Sequence, residues 1–373
     1  MTEKILPWFV LKSVPGIGNH YFKRLFDRFR SPKRVFEASY DELLEVDGIS
    51  HRLAAAIQQH KIPDQVRKEI DLAARKGYEI VTMADSVYPP LLLQTPDPPP
   101  FLYVYGNFGN SAKSIAVVGS RNATRYGIST TIRLCSDLAS LNIVVVSGMA
   151  RGVDTAAHDG AIMARGKTIA VLGSGLERIY PAENRKLFHE IAENGAVVSE
   201  FHLTAPPEAH HFPIRNRIIS GISLGTVVVE ASRKSGALIT ARFAAEQGRE
   251  VFAIPGNIHS FKSIGTHNLI KQGAKLIVNV QDIIDELPHV IRSRMADSDM
   301  DQSKILEKLP PLSSEESLVL KALGPYPVHI DDLGRKLSMD PGKLSSILLQ
   351  LELKGVVQQD PGKLFSIDVK DMF

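Results

Sequence analysis

The sequence predicts an α/β protein built on one mostly parallel sheet, and three observations carry that expectation. Short runs rich in β-branched residues recur between residues 114 and 279. Amphipathic segments of about 10–15 residues separate most of them, and most of the runs end in a glycine or a polar residue. Alternation at this spacing requires crossover connections, which lay the strands parallel and cover both faces of the sheet.

Taken in order, residues 1–78 are helical in period, with short loops and no strand-like run. Two turns stand out there, SVPGIGN (13–19) and EVDGIS (45–50). An apolar-x-Gly-Ile-Gly turn between helices offers consecutive backbone N–H groups to a phosphate, in the manner of a helix-hairpin-helix element. The second turn has Ser50 in place of the second glycine. Simple packing of both turns into one small helical domain is the competing reading. Residues 79–288 form the α/β region. Its stretch 85–106 is too rich in proline for a central strand and is expected to wrap the sheet or form an edge. Strands are expected at 114–118, 143–147, 168–172, 196–199, 226–230, 250–254 and 275–279. Residues 289–312 lack a stable period and contain Pro310-Pro311, which marks a linker. Residues 313–373 give three helix patterns and then two short strands around Asp360-Pro361-Gly362, the outline of a winged helix. Ser313 and Glu316 have capping-box spacing at its start.

Composition narrows the class. The chain has 373 residues, 44% hydrophobic and 23% charged, with Cys135 its one cysteine, so no intramolecular disulfide forms. No apolar run has the roughly 18 residues of a membrane span, and no signal-peptide layout opens the chain. A cytoplasmic location is the expectation. The net charge of +3 is unevenly spread. Residues 1–78 hold 14 Lys+Arg against 10 Asp+Glu, 79–288 hold 19 against 18, and 289–373 hold 11 against 13. Binding of a polyanion therefore depends on local clustering rather than bulk attraction.

The α/β region carries the chemistry. Carboxyl ends of strands in an open parallel sheet line its ligand crevice. This brings together GSRNATRYG (119–127), SGMARGVDTAAH (147–158), GSGLERIYPAENRKL (173–187) and the segment after Glu230. From these loops the candidate binding residues are Gly119, Ser120, Arg121, Ser147, Gly148, Arg151, Gly152, Gly173, Ser174 and Gly175, with Arg178 nearby. Glycines let backbone N–H groups approach an anion, and a following helix start favours negative charge. The stretch HHFPIRNRIISG (210–221) adds Phe212, Arg215, Asn216 and Arg217. Arg215 and Arg217 diverge by about 200° on a helix. One is expected to reach phosphate, the other a loop or a carboxylate such as Glu200 or Glu230. Phe212 reads equally as a base-stacking platform or a core residue. Lys234, Ser235 and Gly236 open a further helix beside Arg233, and SIGTHNLIKQGA (263–274) adds another helix start with Lys262 beside it.

Catalytic groups are harder to assemble. Asp154 and His158 share one helical face, which reads more readily as a structural Asp–His hydrogen bond than as an acid/base pair. His202, His210 and His211 lack matching carboxylate or cysteine ligands in sequence, so no metal is expected. The Gly-x-x-x-x-Gly-Lys-Ser/Thr pattern of P-loop nucleotide hydrolysis is absent.

Together VVGSRNATRYG, SGMARGVDTAAH, GSGLERIYPAEN, FPIRNRIISG, SGALITARFAAEQGREVFAIPGN and SIGTHNLIKQGA resemble the DprA/Smf family of bacterial DNA-processing proteins, across about residues 80–290. The resemblance implies an extended Rossmann-like domain between a helix-hairpin-helix (SAM-like) domain and a winged helix. It further implies a non-enzymatic protein without a cofactor that binds incoming single-stranded DNA during natural transformation. Such a protein protects the strand, helps load the RecA recombinase, displaces single-strand-binding protein and works as a homodimer. The family's basic pocket falls on Arg121 and its neighbouring glycine loops. Ser220 and His267 depart from the family pattern. The expected recognition helix, about 340–354, carries only Lys343 and Lys354 as basic residues, so a protein contact or weak duplex binding is expected there. The alternative reading is a nucleotide-processing Rossmann enzyme of the phosphoribohydrolase type, with Glu230 ahead of Ser235-Gly236 as its glutamate. Against it, the Pro-Gly-Gly…Gly-Thr…Glu signature of those enzymes is missing.

Overall fold

Strands without a single exposed position set the architecture. β3 (Ser114–Val118), β4 (Val144–Ser147), β5 (Thr168–Val171), β6 (Gly195–Ser199) and β7 (Gly225–Val228) are buried throughout. Only a sheet covered by helices on both faces accommodates such strands. In the computed structural model, which describes residues 2–109, 111, 113–287, 313–323, 328–354, 356–360 and 362–367, they form the middle of a nine-stranded sheet. β1 (Glu79–Thr82), β2 (Phe101–Gly106), β8 (Glu250–Ala253) and β9 (Lys275–Leu276) complete it. Its strand order is β1-β2-β6-β5-β4-β3-β7-β8-β9. Pairing is parallel from β6 to β9, with Ala116 opposite Val146 on one side and Thr226 on the other.

β1 and β2 pair antiparallel with each other, and β2 pairs antiparallel with β6, Tyr103 opposite Ser199. The 85–106 segment thus departs from its expected place at the margin. All its prolines precede Phe101, so the strand that follows keeps every N–H and is paired on both sides. The 275–279 strand shrinks to two residues, because Asn279 turns into the cap of the next helix.

The covering helices are α8 (Arg125–Ser140), α9 (Val153–Met163), α10 (Arg185–Glu193), α11 (His211–Ile222), α12 (Gly236–Glu246), α13 (Ile264–Lys271) and α14 (Val280–Glu286). A short α7 (Pro90–Leu93) lies between β1 and β2. Before the sheet come α1 (Thr2–Ser13), α2 (Asn19–Phe29), α3 (Pro32–Glu37), α4 (Tyr40–Leu44), α5 (His51–Gln58) and α6 (Asp64–Lys76). Ser31, Ser39 and Ser50 cap α3, α4 and α5 through their side chains. Ser50, which stands where the first turn has its second glycine, is thereby explained as a cap.

These first helices do not own a separate core. Trp8, Leu11 and Phe22 belong to one buried cluster with Phe101, Leu102 and the sheet strands. The Phe9 ring stacks on Phe101 at 4.2 Å and meets Tyr103 edge-on at 6.0 Å. By compactness the chain divides into two units, Met1–Arg292 and Ser293–Phe373. The expected 289–312 linker lies outside the described residues.

Within the second unit, α15 (Ser314–Ala322), α16 (Ile330–Leu337) and α17 (Pro341–Leu353) surround Val319, Leu333, Leu344 and Leu348. A three-stranded sheet follows the order β10 (Val328–His329), β12 (Leu364–Ile367), β11 (Val357–Asp360). Ser313 and Glu316 make the expected capping box. This is a winged helix, with β10 the strand that its two residues hid from sequence reading.

The closest helix pair of the sheet domain, α8 on α9, depends on Gly160. A Cβ there would stand 2.4 Å from the Ile132 carbonyl oxygen, where the neighbour is backbone and cannot swing aside. Gly160→Ala is expected to lower the stability of the sheet domain by about 1–3 kcal/mol through overpacking. A urea melt with an earlier midpoint and unchanged m value is the expected signature.

Candidate functional site

The strand order places the site. From β3 the chain moves outward through β4, β5 and β6, then returns through α11 to β7 on the other side of β3. The carboxyl ends of β3 and β7 therefore flank the switch point of an open α/β sheet, the expected ligand crevice. A cavity of about 480 Å³ opens there. Val118 and residues 119–122 at the end of β3, Ala150 and Asp154 after β4, Ser232, 235–237, Ile239 and Thr240 after β7, Phe261 and Lys262 after β8, and one side of α11 line it.

Of the expected residues, the structure brings Gly119, Ser120, Arg121, Phe212, Arg215, Asn216, Ser235 and Gly236 to this cavity. Arg121 is exposed, and its guanidinium lies 5.1 Å from the Phe212 ring centroid. Ser120 closes the turn by accepting from the Asn122 N–H at 3.2 Å. Asn216 donates to the Gly236 carbonyl at 3.4 Å and so ties α11 to the start of α12. Ser235 caps α12, and its first residues line the cavity, so the positive end of that helix is open to an anion. Phe212 resolves as a half-buried wall of the cavity with Gly173 beneath its ring.

Arg215 is buried beneath the cavity floor. It donates to the Val171 carbonyl at the end of β5 and presses on Gly148 at the end of β4, where a side chain would overlap the guanidinium. Burial lowers its pKa to about 10, opposed by the nearby Asp154 carboxylate. Asp154 in turn is raised by burial and lowered by Arg215, and it accepts from the Ala150 N–H at 3.3 Å. Arg217, two residues on, points away from the cavity. It pairs with Glu200 at 2.5 Å and Asp97 at 3.2 Å. The split between the two arginines follows their helical angle, and Glu200 is the carboxylate partner.

Other expected residues serve the scaffold. Arg151 is held outward by a two-point ion pair with Glu183, 2.7 Å at each contact. Ser147 donates to the Val117 carbonyl and Ser174 to the Arg178 carbonyl, both buried. Gly152 packs on the backbone of Ser120 and Arg121, and Gly175 on that of His202 and Leu203. Lys234 is exposed and does not line the cavity. Ser220 bonds back into α11, and His267 lies within 3.1 Å of the Gly256 carbonyl, away from the cavity. Residues missed in sequence include Asn122, Phe261 and Thr240. The signal for Phe261 was an aromatic beside Lys262 between a strand end and a helix start.

Glu230 occupies the helix start that follows the GSRNATRYG turn. Its carboxylate accepts from the Thr124 N–H at 2.9 Å and from the Thr124 hydroxyl, against Gly127 in the first turn of α8. An internal anion thus fills the helix N-terminus where a dinucleotide fold would hold pyrophosphate. A glutamate so engaged and 5% exposed lacks the free carboxylate that the nucleotide-hydrolysing alternative requires.

Two further expectations change. His158 is within 2.7 Å of the Thr168 hydroxyl through Nδ1, not bonded to Asp154. Gly16 and Gly18 of the first turn are exposed at the border of a cleft that Glu200 and Arg217 also line, and Asn19 beside them donates to Glu200 at 3.2 Å. His210 and His211 do gain a carboxylate, since one ligand atom from each and one from Glu208 lie within 4.8 Å of one another. Those groups engage one another and Pro206, and they sit at the start of α11, whose dipole disfavours a cation. On α17, Lys343 pairs with Glu315 at 2.5 Å and Lys354 with Glu316 at 2.7 Å, which offsets its two basic residues. Among the described residues no helix is long and apolar enough to cross a membrane.

Fold and site together define a Rossmann-like domain whose switch-point crevice offers arginine, lysine and aromatic side chains in place of a dinucleotide loop. Residues 79–288 match the family model described as DNA recombination-mediator protein A, residues 306–363 the DprA winged helix domain, and residues 10–60 a SAM-like helix-hairpin-helix tandem. Protein Smf of Synechocystis is 33% identical over 95% of this chain and 96% of its own length. Protein Smf of Escherichia coli is 39% identical over 77% and 76%. The X-ray structure of DNA processing protein A from Streptococcus pneumoniae is similar with a TM-score of 0.66 at 34% identity, covering 76% of this chain and 99% of that one. A structure of DNA processing protein A from Helicobacter pylori, described for its single-stranded DNA binding mode, gives 0.51 at 31%, covering 59% and 97%. The chain belongs to the DprA/Smf family of DNA-processing proteins.

Burial of His158 has a measurable consequence. Its pKa falls from 6.5 to about 3, chiefly through desolvation and then through the Arg215 charge. Above pH 6.5 both folded and unfolded forms are neutral. Between 6.5 and about 3 only the unfolded chain takes the proton, so stability is lost as pH falls. The loss approaches about 1.4 kcal/mol per pH unit for this group. His158→Gln is expected to show a shallower decline in unfolding free energy between pH 6.5 and 4, and parallel curves would refute the assignment.

Proposed function

We propose that this chain binds single-stranded DNA along the switch-point crevice, protects the strand during natural transformation and helps load the RecA recombinase onto it. The observation that carries the reading is the exposed Arg121 guanidinium over the Phe212 ring at the edge of the crevice. A cation beside a π-face serves a phosphate and a base together and is indifferent to base identity. The anion site of α8 is already filled by Glu230, whereas that of α12 is open. The binding groups are therefore spread along the crevice, which suits successive phosphates of a polymer better than one compact cofactor. The likeness to the Helicobacter pylori protein supports the choice of strand. The chain is read as a binder rather than an enzyme, acting in the cytoplasm as a homodimer and displacing single-strand-binding protein. No cofactor or metal is assigned to it.

Because phosphate contacts dominate, affinity for oligothymidylate is expected to fall with salt, with a slope of about −0.7 per phosphate neutralised. Arg121→Ala should weaken binding to single strands of any sequence and flatten that slope by about 0.7. A salt-titrated anisotropy measurement checks both. Salt-independent binding, or wild-type affinity in Arg121→Ala, would sink the proposal.

A further inference from the structure

The crevice holds a second aromatic side chain that the single-strand reading has not used. Phe261 lines the same cavity as Phe212 yet comes from a different segment, the loop between β8 and α13. It is 66% exposed, so its ring is not part of the packed interior. Its backbone is nevertheless fixed. The Lys262 carbonyl accepts from the Ala231 N–H at 2.7 Å, and the Ser263 N–H donates to Ser260 at 3.0 Å. The Lys262 side chain reaches the Asn122 carbonyl on the β3 turn, so the loop is tied to both walls of the switch point. The ring is thus held in solvent at the crevice by a preorganised support, which reduces the ordering cost of a contact made there.

Each ring in the cavity also has its own cation. Arg121 lies 5.1 Å from the Phe212 centroid, and the Lys262 ammonium lies 6.0 Å from the Phe261 centroid. An ammonium has three donors, and the bond to Asn122 uses one of them. The crevice therefore presents a π-face beside a cation twice, Phe212 of α11 with Arg121 of the β3 turn and Phe261 with Lys262 on the β8–α13 loop. We propose that Phe261 is a second base platform, so that the cavity takes two nucleotides of one strand, one base on Phe212 and the other on Phe261. Arg121 and Lys262 then meet the accompanying phosphates. The inference rests on the single-strand reading and adds to it which side chains count nucleotides.

The test uses the full chain and oligothymidylate, either intact or with a single abasic site moved along the strand. Phe261→Ala is expected to weaken binding of the intact strand by about fivefold or more, as loss of one base stack requires. Its salt slope should match the wild type, since no charge is lost. Phe261→Tyr should restore the affinity. With the abasic site at one position in the strand, wild type and Phe261→Ala should bind alike, because the missing base has nothing to stack. Wild-type affinity in Phe261→Ala, with Arg121→Ala still impaired, overturns the second platform and leaves the single-strand reading standing. Failure of the wild-type protein to bind the intact strand overturns both.

Discussion

One buried guanidinium organises the floor of the crevice. Arg215 sits on α11, donates to the end of β5, presses on the glycine at the end of β4 and faces Asp154 on α9. Four elements from distant parts of the sequence thereby share one charge. An arginine taken out of water is costly unless its donors and its charge are answered. The Val171 carbonyl takes one donor and the nearby Asp154 carboxylate opposes the burial of the charge, while the buried Nε has no hydrogen-bond partner. Phe212, three residues earlier on α11, inherits its position from this anchor, and Arg121 from Phe212.

Two helix N-termini at the same sheet edge have opposite fates. That of α8 is closed by Glu230, and that of α12 remains available at the cavity. Arg121 in the β3 turn is consistent with this division. A short backbone turn brings N–H groups to one pyrophosphate, whereas a long side chain reaches a phosphate that no single helix holds. Charge in the crevice is accordingly local. It does not register in a net charge of +3 over the chain.

Much of this was legible in the sequence because the physics was local. β-branched runs and helical spacing located nearly every strand of the large sheet, and the Ser313–Glu316 spacing located a helix start. Angular separation on a helix sent Arg217 to the carboxylate of Glu200, while Arg215, expected at a phosphate, is buried against the Val171 carbonyl. What stayed hidden depends on long-range pairing. β10 has two residues, β1 is an edge strand paired only with β2, and β2 was masked by prolines that end just before it. The site followed the same rule. Strand ends identified Arg121 and Gly119, but Arg151 has the same local setting and is drawn off by Glu183, a residue 32 positions away. Phe261 had only the faint signal of an aromatic beside Lys262, since its place at the cavity depends on how its loop is tied to Ala231 and Asn122.

The shared core of the first helices and the sheet changes what residue 78 means. By period it separates a helical region from an α/β region. In the folded chain Phe9 covers Phe101 and Tyr103, and Asn19, next to the Gly16–Gly18 turn, donates to Glu200, the partner of Arg217. Stripping off the helices would bare aromatic rings of β2 and leave the Arg217 pair open to water. Residue 78 thus marks a change of period along the chain but no break in the packed interior, since the buried cluster runs across it from Trp8, Leu11 and Phe22 to Phe101 and Leu102.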